Sequence, residues 1–195
     1  MSGKGHKTKV QDRRTQRTHK ALLQAFLVLL RQRKYGQIHV ADIIAKADVA
    51  RSTFYDHFKS KDDVLLESMS GIYATLADIV EKDAKPERLV GLLQHFWDNR
   101  LLARDLFSGP SAALGPKHGT RHLACAIEER LAAQYRFRKI EPEVPLWLAA
   151  IQVAEGTMAL LRDWLTGKAA CGPASLAKGL HAAATACAGA FLAPR

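Results

Sequence analysis

The chain has 195 residues, 48% of them apolar, and a formal net charge of +10. That apolar share excludes a disordered chain, and no run approaches the ~20 apolar residues that a membrane span requires. The charge is segregated: residues 1–61 hold 14 Lys and Arg against 4 Asp and Glu, whereas residues 62–195 hold 15 of each. A positive excess confined to the first third is the electrostatic footprint of a polyanion partner; the alternative is a solubility tail.

In chain order, residues 1–12 carry Lys4, Lys7 and Lys9 between glycines with little to bury, which predicts a flexible basic arm. Together with His6, Arg13, Arg14 and Arg17, that arm either tracks phosphates or enters a minor groove, or is simply a solvated tail. A helix is predicted from about Gln11 to Lys34, because Leu22, Leu23, Phe26, Leu27 and Leu30 recur at three- and four-residue steps; Gly36 ends it. Short helices follow at 40–46 and 51–57, parted by Ala47-Asp48-Val49. Ser60 reads as an N-cap, with Asp62 and Asp63 in the first turn of a long helix over 61–82. Beyond Pro86, helices are predicted near 86–99, 101–114, 118–138, 143–167 and 173–192, with breaks at Gly109-Pro110, Gly115-Pro116, Pro142, Pro145 and Gly172-Pro173. Strand signals are nearly absent. The expectation is therefore an all-α chain divided into an arm (1–12), a head of short helices (13–60) and a longer helical body (61–195).

The head is the most specific part. Ile43, Val49, Phe54 and Phe58 are spaced to form one small core. Between the core positions of the second short helix stand Arg51, Ser52, Thr53, Tyr55 and His57, side chains able to reach base edges and phosphates from a major groove. Lys61 opens the next helix, whose N-terminal amides and positive dipole end can hold a phosphate.

The stretch Arg51-Ser52-Thr53-Phe54-Tyr55-Asp56-His57-Phe58-Lys59-Ser60-Lys61, continued by Val64-Leu65-Leu66 and preceded by Tyr35-Gly36, Val40 and Asp42-Ile43, resembles the TetR family of bacterial regulators. The resemblance covers about residues 18–68 and extends to the subgroup that includes regulators of dihydroxyacetone kinase operons, without assigning that pathway. It implies a three-helix helix-turn-helix DNA-binding domain over 13–60 and a helical regulatory domain for ligand binding and dimerisation over 61–195; it also implies that Tyr55 and His57 contact phosphates, that Arg51, Ser52 and Thr53 face bases, and that Lys61 anchors the DNA backbone. The chain departs from the family pattern at four positions. Asp48 stands where the turn usually has glycine, and Ile44 where a small alanine is usual. Ala50 and His39 replace the usual Ser and Thr caps, each lost cap costing about 1 kcal/mol.

In the body, Leu146, Ala149, Ala150, Val153, Ala154, Thr157 and Leu161 on one helix suggest a dimer surface. So do Leu176, Leu180, Ala183, Ala184, Cys187, Ala188 and Phe191 on the next, since small residues allow close approach in a four-helix bundle. The alternative is that these faces pack within one subunit. Met69, Tyr73, Leu76, Phe96, Trp97, Phe107, Trp147, Met158 and Trp164 are candidates to line a small-molecule pocket, with Tyr73, Phe96, Trp97, Phe107, Trp147 and Met158 the leading set; plain core packing is the competing explanation. Glu155 is either a polar hook for a ligand or an exposed residue.

His118, His122 and Cys125 share a helix face but lack an evident fourth ligand, so no metal and no cofactor are expected. Cys125, Cys171 and Cys187 form no disulfide framework, and the basic N-terminus has no signal-type apolar region behind it. Both fit a soluble cytoplasmic protein. No catalytic order of Ser, His and Asp and no cofactor fingerprint is present, which argues against an enzyme. The resulting expectation is a homodimeric repressor, released from an inverted-repeat double-stranded DNA operator by a small-molecule effector. The alternative is the same DNA-reading head under the control of a partner protein.

Overall fold

The computed structural model describes residues 4–108, 119–139, 141–142 and 144–192, and among them it is helical with no strand. Helix α1 spans Lys4–Gln32, α2 Val40–Ala47, α3 Arg51–His57, α4 Lys61–Ser68, α5 Ser70–Ala77, α6 Pro86–Asp98, α7 Arg100–Ser108, α8 Thr120–Arg138, α9 Leu146–Leu165 and α10 Pro173–Leu192. Among the described residues no helix is long and apolar enough to cross a membrane. The expected breaks at Gly109-Pro110 and Gly115-Pro116, and His118 of the metal-spaced trio, lie outside the described residues.

Two sequence expectations are corrected here. Helix α1 begins at Lys4, so most of the stretch expected to be an irregular arm has helical backbone. Extending an existing helix fixes one residue per hydrogen bond gained, and the Lys, Gln and Arg residues there are good helix formers. The single helix expected over 61–82 is instead α4, α5 and a 3-10 turn at Asp78–Val80. The break falls in Ser68-Met69-Ser70-Gly71. There the Ser68 hydroxyl donates back to the Leu65 carbonyl at 2.7 Å, and glycine lowers helix propensity.

The chain packs as two compact units that divide between Met69 and Ser70, so α4 belongs with the head. In the head, α1 buries Leu22, Ala25, Phe26, Leu29 and Leu30 and packs on α2 and α4. Leu27, expected in that face, is 42% exposed. Tyr35 is buried edge-on against Phe26, with ring centroids 6.2 Å apart, and its hydroxyl donates to the Asp62 carboxylate. Burial, and then that bond, hold the phenol well above its ordinary pKa.

In the second unit α8 packs along α9 and against α5, while α10 lies on α6 and on the 3-10 turn. Arg130 of α8 fastens the end of α5: its Nε and Nη2 donate to Asp78 Oδ1 at 3.1 and 2.9 Å, and Nη2 also reaches the Ala74 carbonyl at 3.2 Å. Lys139 at φ 55° closes α8. The α9–α10 connection is tied by Trp164 Nε1 donating to the Cys171 carbonyl at 2.8 Å, and Pro173 opens α10, a position where its missing N–H costs nothing.

Candidate nucleic-acid interface

The helix-turn-helix is built from the residues that its sequence pattern singled out. Helix α2 ends at Asp48, which takes the left-handed conformation at φ 53°, ψ 53°. Aspartate adopts that region more readily than most residues, so the turn forms without the usual glycine. Ile43 and Phe54 are fully buried and Phe58 nearly so; Val49 is only half-buried. Burying each of these aromatic rings is worth about 1.5–3 kcal/mol, which fixes the rotation of α3 about its own axis. The missing caps are partly made good. At α2 the Asp42 carboxylate accepts from the His39 N–H at 2.8 Å, and this bond, then Arg33, keeps the Asp42 carboxyl below its ordinary pKa. Ala50 supplies no side-chain cap to α3. At α4 the expected cap is present in both directions: Ser60 Oγ accepts from the Asp63 N–H at 3.2 Å, and Asp63 Oδ2 accepts from the Ser60 N–H at 3.0 Å.

With Phe54 and Phe58 turned inward, Arg51, Ser52 and Tyr55 are exposed on the opposite side of α3, while Thr53 and His57 are half-buried at its edges. The Arg51 guanidinium carbon lies 5.6 Å from the Tyr55 ring centroid, so cation and phenol are presented together. Lys46, Lys59, Lys20 and Arg17 are also exposed on this unit.

Lys61 departs from its expected role. Its Nζ donates to the carbonyls of Ile38 at 2.8 Å and Tyr35 at 3.2 Å and sits 4.3 Å from the Tyr35 ring centroid. The ammonium therefore spends two of its three donors stapling the 3-10 turn Tyr35–Gln37 to the start of α4. The expectation missed these carbonyls because they are 23 and 26 residues away in sequence.

Sequence reasoning also passed over His19. Its ring stacks on Phe58 at 4.9 Å, lies 5.4 Å from the His57 ring, and its Nε2 pairs with the Glu67 carboxylate. It thus joins α1, α3 and α4 behind the exposed face. The only sequence signal was a polar ring one turn before the apolar stripe of α1.

The candidate ligand residues do not converge on one place. Phe96 and Phe107 are buried against each other at 5.5 Å. Trp97 is 37% exposed and lies 5.1 Å from buried Trp164. Trp147 is half-buried beside the Arg121 guanidinium. Tyr73 and Met158 are both buried and meet at Gly119, where a Cβ would stand 2.5 Å from the Tyr73 hydroxyl and 3.5 Å from Met158 Cε. The Tyr73 ring stacks at 6.1 Å on His122, and burial pushes its phenol up to about 12. Beside Gly119, the Thr120 side chain is 2% exposed, and its hydroxyl has no hydrogen-bond partner among the described residues; nor has the buried Nη1 of Arg162. Glu155 is exposed.

The residues expected to form a dimer face are mostly spent within the subunit. Ala149, Ala150, Val153, Ala154, Thr157 and Leu161 are buried, as are Leu176, Leu180, Ala184 and Ala188. Ala183 alone of the set is exposed, with Leu146, Cys187 and Phe191 intermediate. A different row on α9 is left outward, with Leu148 49% and Leu160 44% exposed.

Comparison with known proteins bears on the same segments. Residues 22–68 match the family model described as bacterial regulatory proteins, tetR family. The chain is 41% identical over 82 residues to the uncharacterized HTH-type transcriptional regulator YxbF of Bacillus subtilis (strain 168), a match covering 42% of this chain and 21% of that protein. It is 29% identical over 91 residues to the HTH-type dhaKLM operon transcriptional activator DhaS of Lactococcus lactis subsp. lactis (strain IL1403), covering 46% of this chain and 49% of the relative. These matches therefore span half or less of either relative. Among solved structures, a TetR transcriptional regulator from Streptococcus agalactiae 2603V aligns over 91% of this chain and 98% of its own at TM-score 0.54 and 26% identity. The dihydroxyacetone kinase operon activator DhaS aligns over 89% and 97% at TM-score 0.52 and 18% identity, a likeness of fold.

Proposed function

We propose that this chain, a member of the TetR family of DNA-binding transcriptional regulators near the DhaS subgroup, is a homodimeric repressor that a small molecule releases from an inverted-repeat operator. The observation that carries the DNA-reading part is the core-locked rotation of α3, which leaves Arg51, Ser52 and Tyr55 outward on the basic third of the chain. Arg51, Ser52 and Thr53 then read bases, Tyr55 and His57 bind phosphates, and the α4 N-terminus held by Lys61 contributes amides to the backbone. The activator role belongs to the relative's name; neither that role nor its operon is carried over.

A recognition helix alone buries too little for a specific site, so two copies reading two half-sites have a physical purpose. The exposed row Leu148, Gln152, Gly156 and Leu160 on α9, with Ala183 and Cys187 across a shallow groove of about 190 Å³, suits the second copy. The effector part is supported by the buried Thr120 hydroxyl, which has no hydrogen-bond partner among the described residues. A buried unpaired hydroxyl costs about 1–3 kcal/mol, and a mostly apolar ligand with one accepting group beside Tyr73, Thr120 and Met158 would remove that cost.

The test is to screen compounds by tryptophan fluorescence and titrate each binder against bound DNA. A coupling of about 1–3 kcal/mol lowers DNA affinity roughly 5–150-fold, and DNA must weaken the ligand by the same factor. Thr120→Val should weaken the ligand while leaving DNA affinity in its absence unchanged. An empty screen, with DNA binding intact, would remove the effector from the account and favour control by a partner protein.

A further inference from the structure

A groove of about 480 Å³ lies wholly within the second unit, where the 3-10 turn after α5, the start of α6 and the start of α10 meet. None of Tyr73, Thr120 or Met158 lines it, so it is separate from the proposed effector position. Its apolar wall is aliphatic: Ile79, Pro86, Leu89, Val90, Ala174 and Ala177. With no Phe, Tyr or Trp ring among its lining residues, this wall suits a flexible alkyl chain rather than a planar ring.

The charged residues around it are unequal in sign. Lys82, Lys85, Arg88 and Lys178 line the groove together with one carboxylate, Asp78. That carboxylate is already held by Arg130, which does not line the groove, through Oδ1 at 2.9 and 3.1 Å; Arg88 Nη1 stands 3.3 Å from Oδ2. The lysines are exposed, and the four cations outnumber the acid that faces them. His181 completes the wall and is oriented: the Ile79 carbonyl can only accept, so Nδ1 carries the proton that spans the 3.0 Å between them. An apolar floor under a ring of ammonium groups matches an amphipathic anion, with the chain against Leu89 and Ala177 and the head among the lysines.

We propose that this groove is a binding site for an aliphatic carboxylate. The excess of cations over the one paired acid favours an anionic head, and the volume accommodates a medium-length chain. The occupant bridges α6 and α10 and so fastens the start of α10 to the rest of its unit.

The experiment is calorimetric titration of the full chain with sodium decanoate below its micellar concentration. The expected result is saturable binding of one decanoate per chain, with 1-decanol and decyltrimethylammonium each at least about tenfold weaker. The double substitution Lys85→Glu, Lys178→Glu should weaken decanoate by about tenfold or more, since both side chains are exposed and their reversal leaves the core untouched. Ala174→Trp, also at an exposed lining position, should block binding without changing the helical circular dichroism spectrum. The proposal is overturned by no saturable heat with the wild type, by equal binding of decanol, or by unchanged affinity in folded variants. Because the readout is ligand heat and not DNA release, its failure leaves the effector reading standing, and the reverse also holds.

Discussion

Asp48 shows how one residue's backbone preference sets the geometry of the reading head. It is one of two non-glycine residues with positive φ among those described, and it aims α3 away from the end of α2. Glycine would hold the same conformation without a Cβ, at the expense of extra freedom in the unfolded chain. Asp48→Gly is therefore expected to alter stability by no more than about 1 kcal/mol. Asp48→Val, β-branched at the same φ, should lose about 1–2 kcal/mol. Urea midpoints compare the three; equal stability of the valine variant would mean that the turn is not held in this conformation. The adjoining contacts explain what could be read from residue types and what could not. Phe54, Phe58 and Ile43 announced their burial by spacing. The inward turn of Lys61 and the His19–Phe58 stack depend on partners that the chain supplies only after folding.

At the scale of the element, the cap of α2 makes a pH-dependent contribution. The Asp42 carboxyl is depressed by its bond to the His39 N–H and then by Arg33. A carboxyl whose folded pKa lies below its unfolded value of about 3.9 adds stability above that pH and loses it as pH falls through the folded pKa. Asp42→Asn should thus be less stable than the wild type at pH 7, with the gap closing as pH drops below about 4. Denaturant melts across that range measure it, and a gap independent of pH would rule out the charge as its source.

The faces of α9 and α10 make a second element-scale case. Both sides of each helix carry small and aliphatic residues, so periodicity could not distinguish the side buried within the subunit from the side left exposed. Ala184 and Ala188 are buried within the subunit, and glutamate there would damage folding itself. Leu148→Glu on the exposed row should instead yield folded monomers. Sedimentation of a wild-type monomer at micromolar concentration, or of an unchanged dimer in the variant, would reject this face. The break at Met69 was illegible for a similar reason: Val64, Leu65, Met69, Tyr73 and Leu76 keep a buried apolar face through it, although the backbone leaves the helix.

For the whole molecule, the division of charge and the division of packing nearly coincide. All of the net positive charge lies in residues 1–61, and the chain separates into compact units between Met69 and Ser70. The first unit carries the face proposed to read DNA; the second carries the exposed α9 row and the buried Thr120 hydroxyl on which dimerisation and control are proposed to act. The central claim is that α3 reads sequence as one half of a two-fold pair, and selection of bound duplexes from random DNA tests it most directly. The account predicts enrichment of an inverted repeat with half-sites about one helical turn apart, or a multiple of it. It further predicts relaxed preference at particular positions for Arg51→Ala, against uniform weakening of all sequences for Tyr55→Phe. No enriched sequence, or enrichment that neither substitution alters, would contradict it.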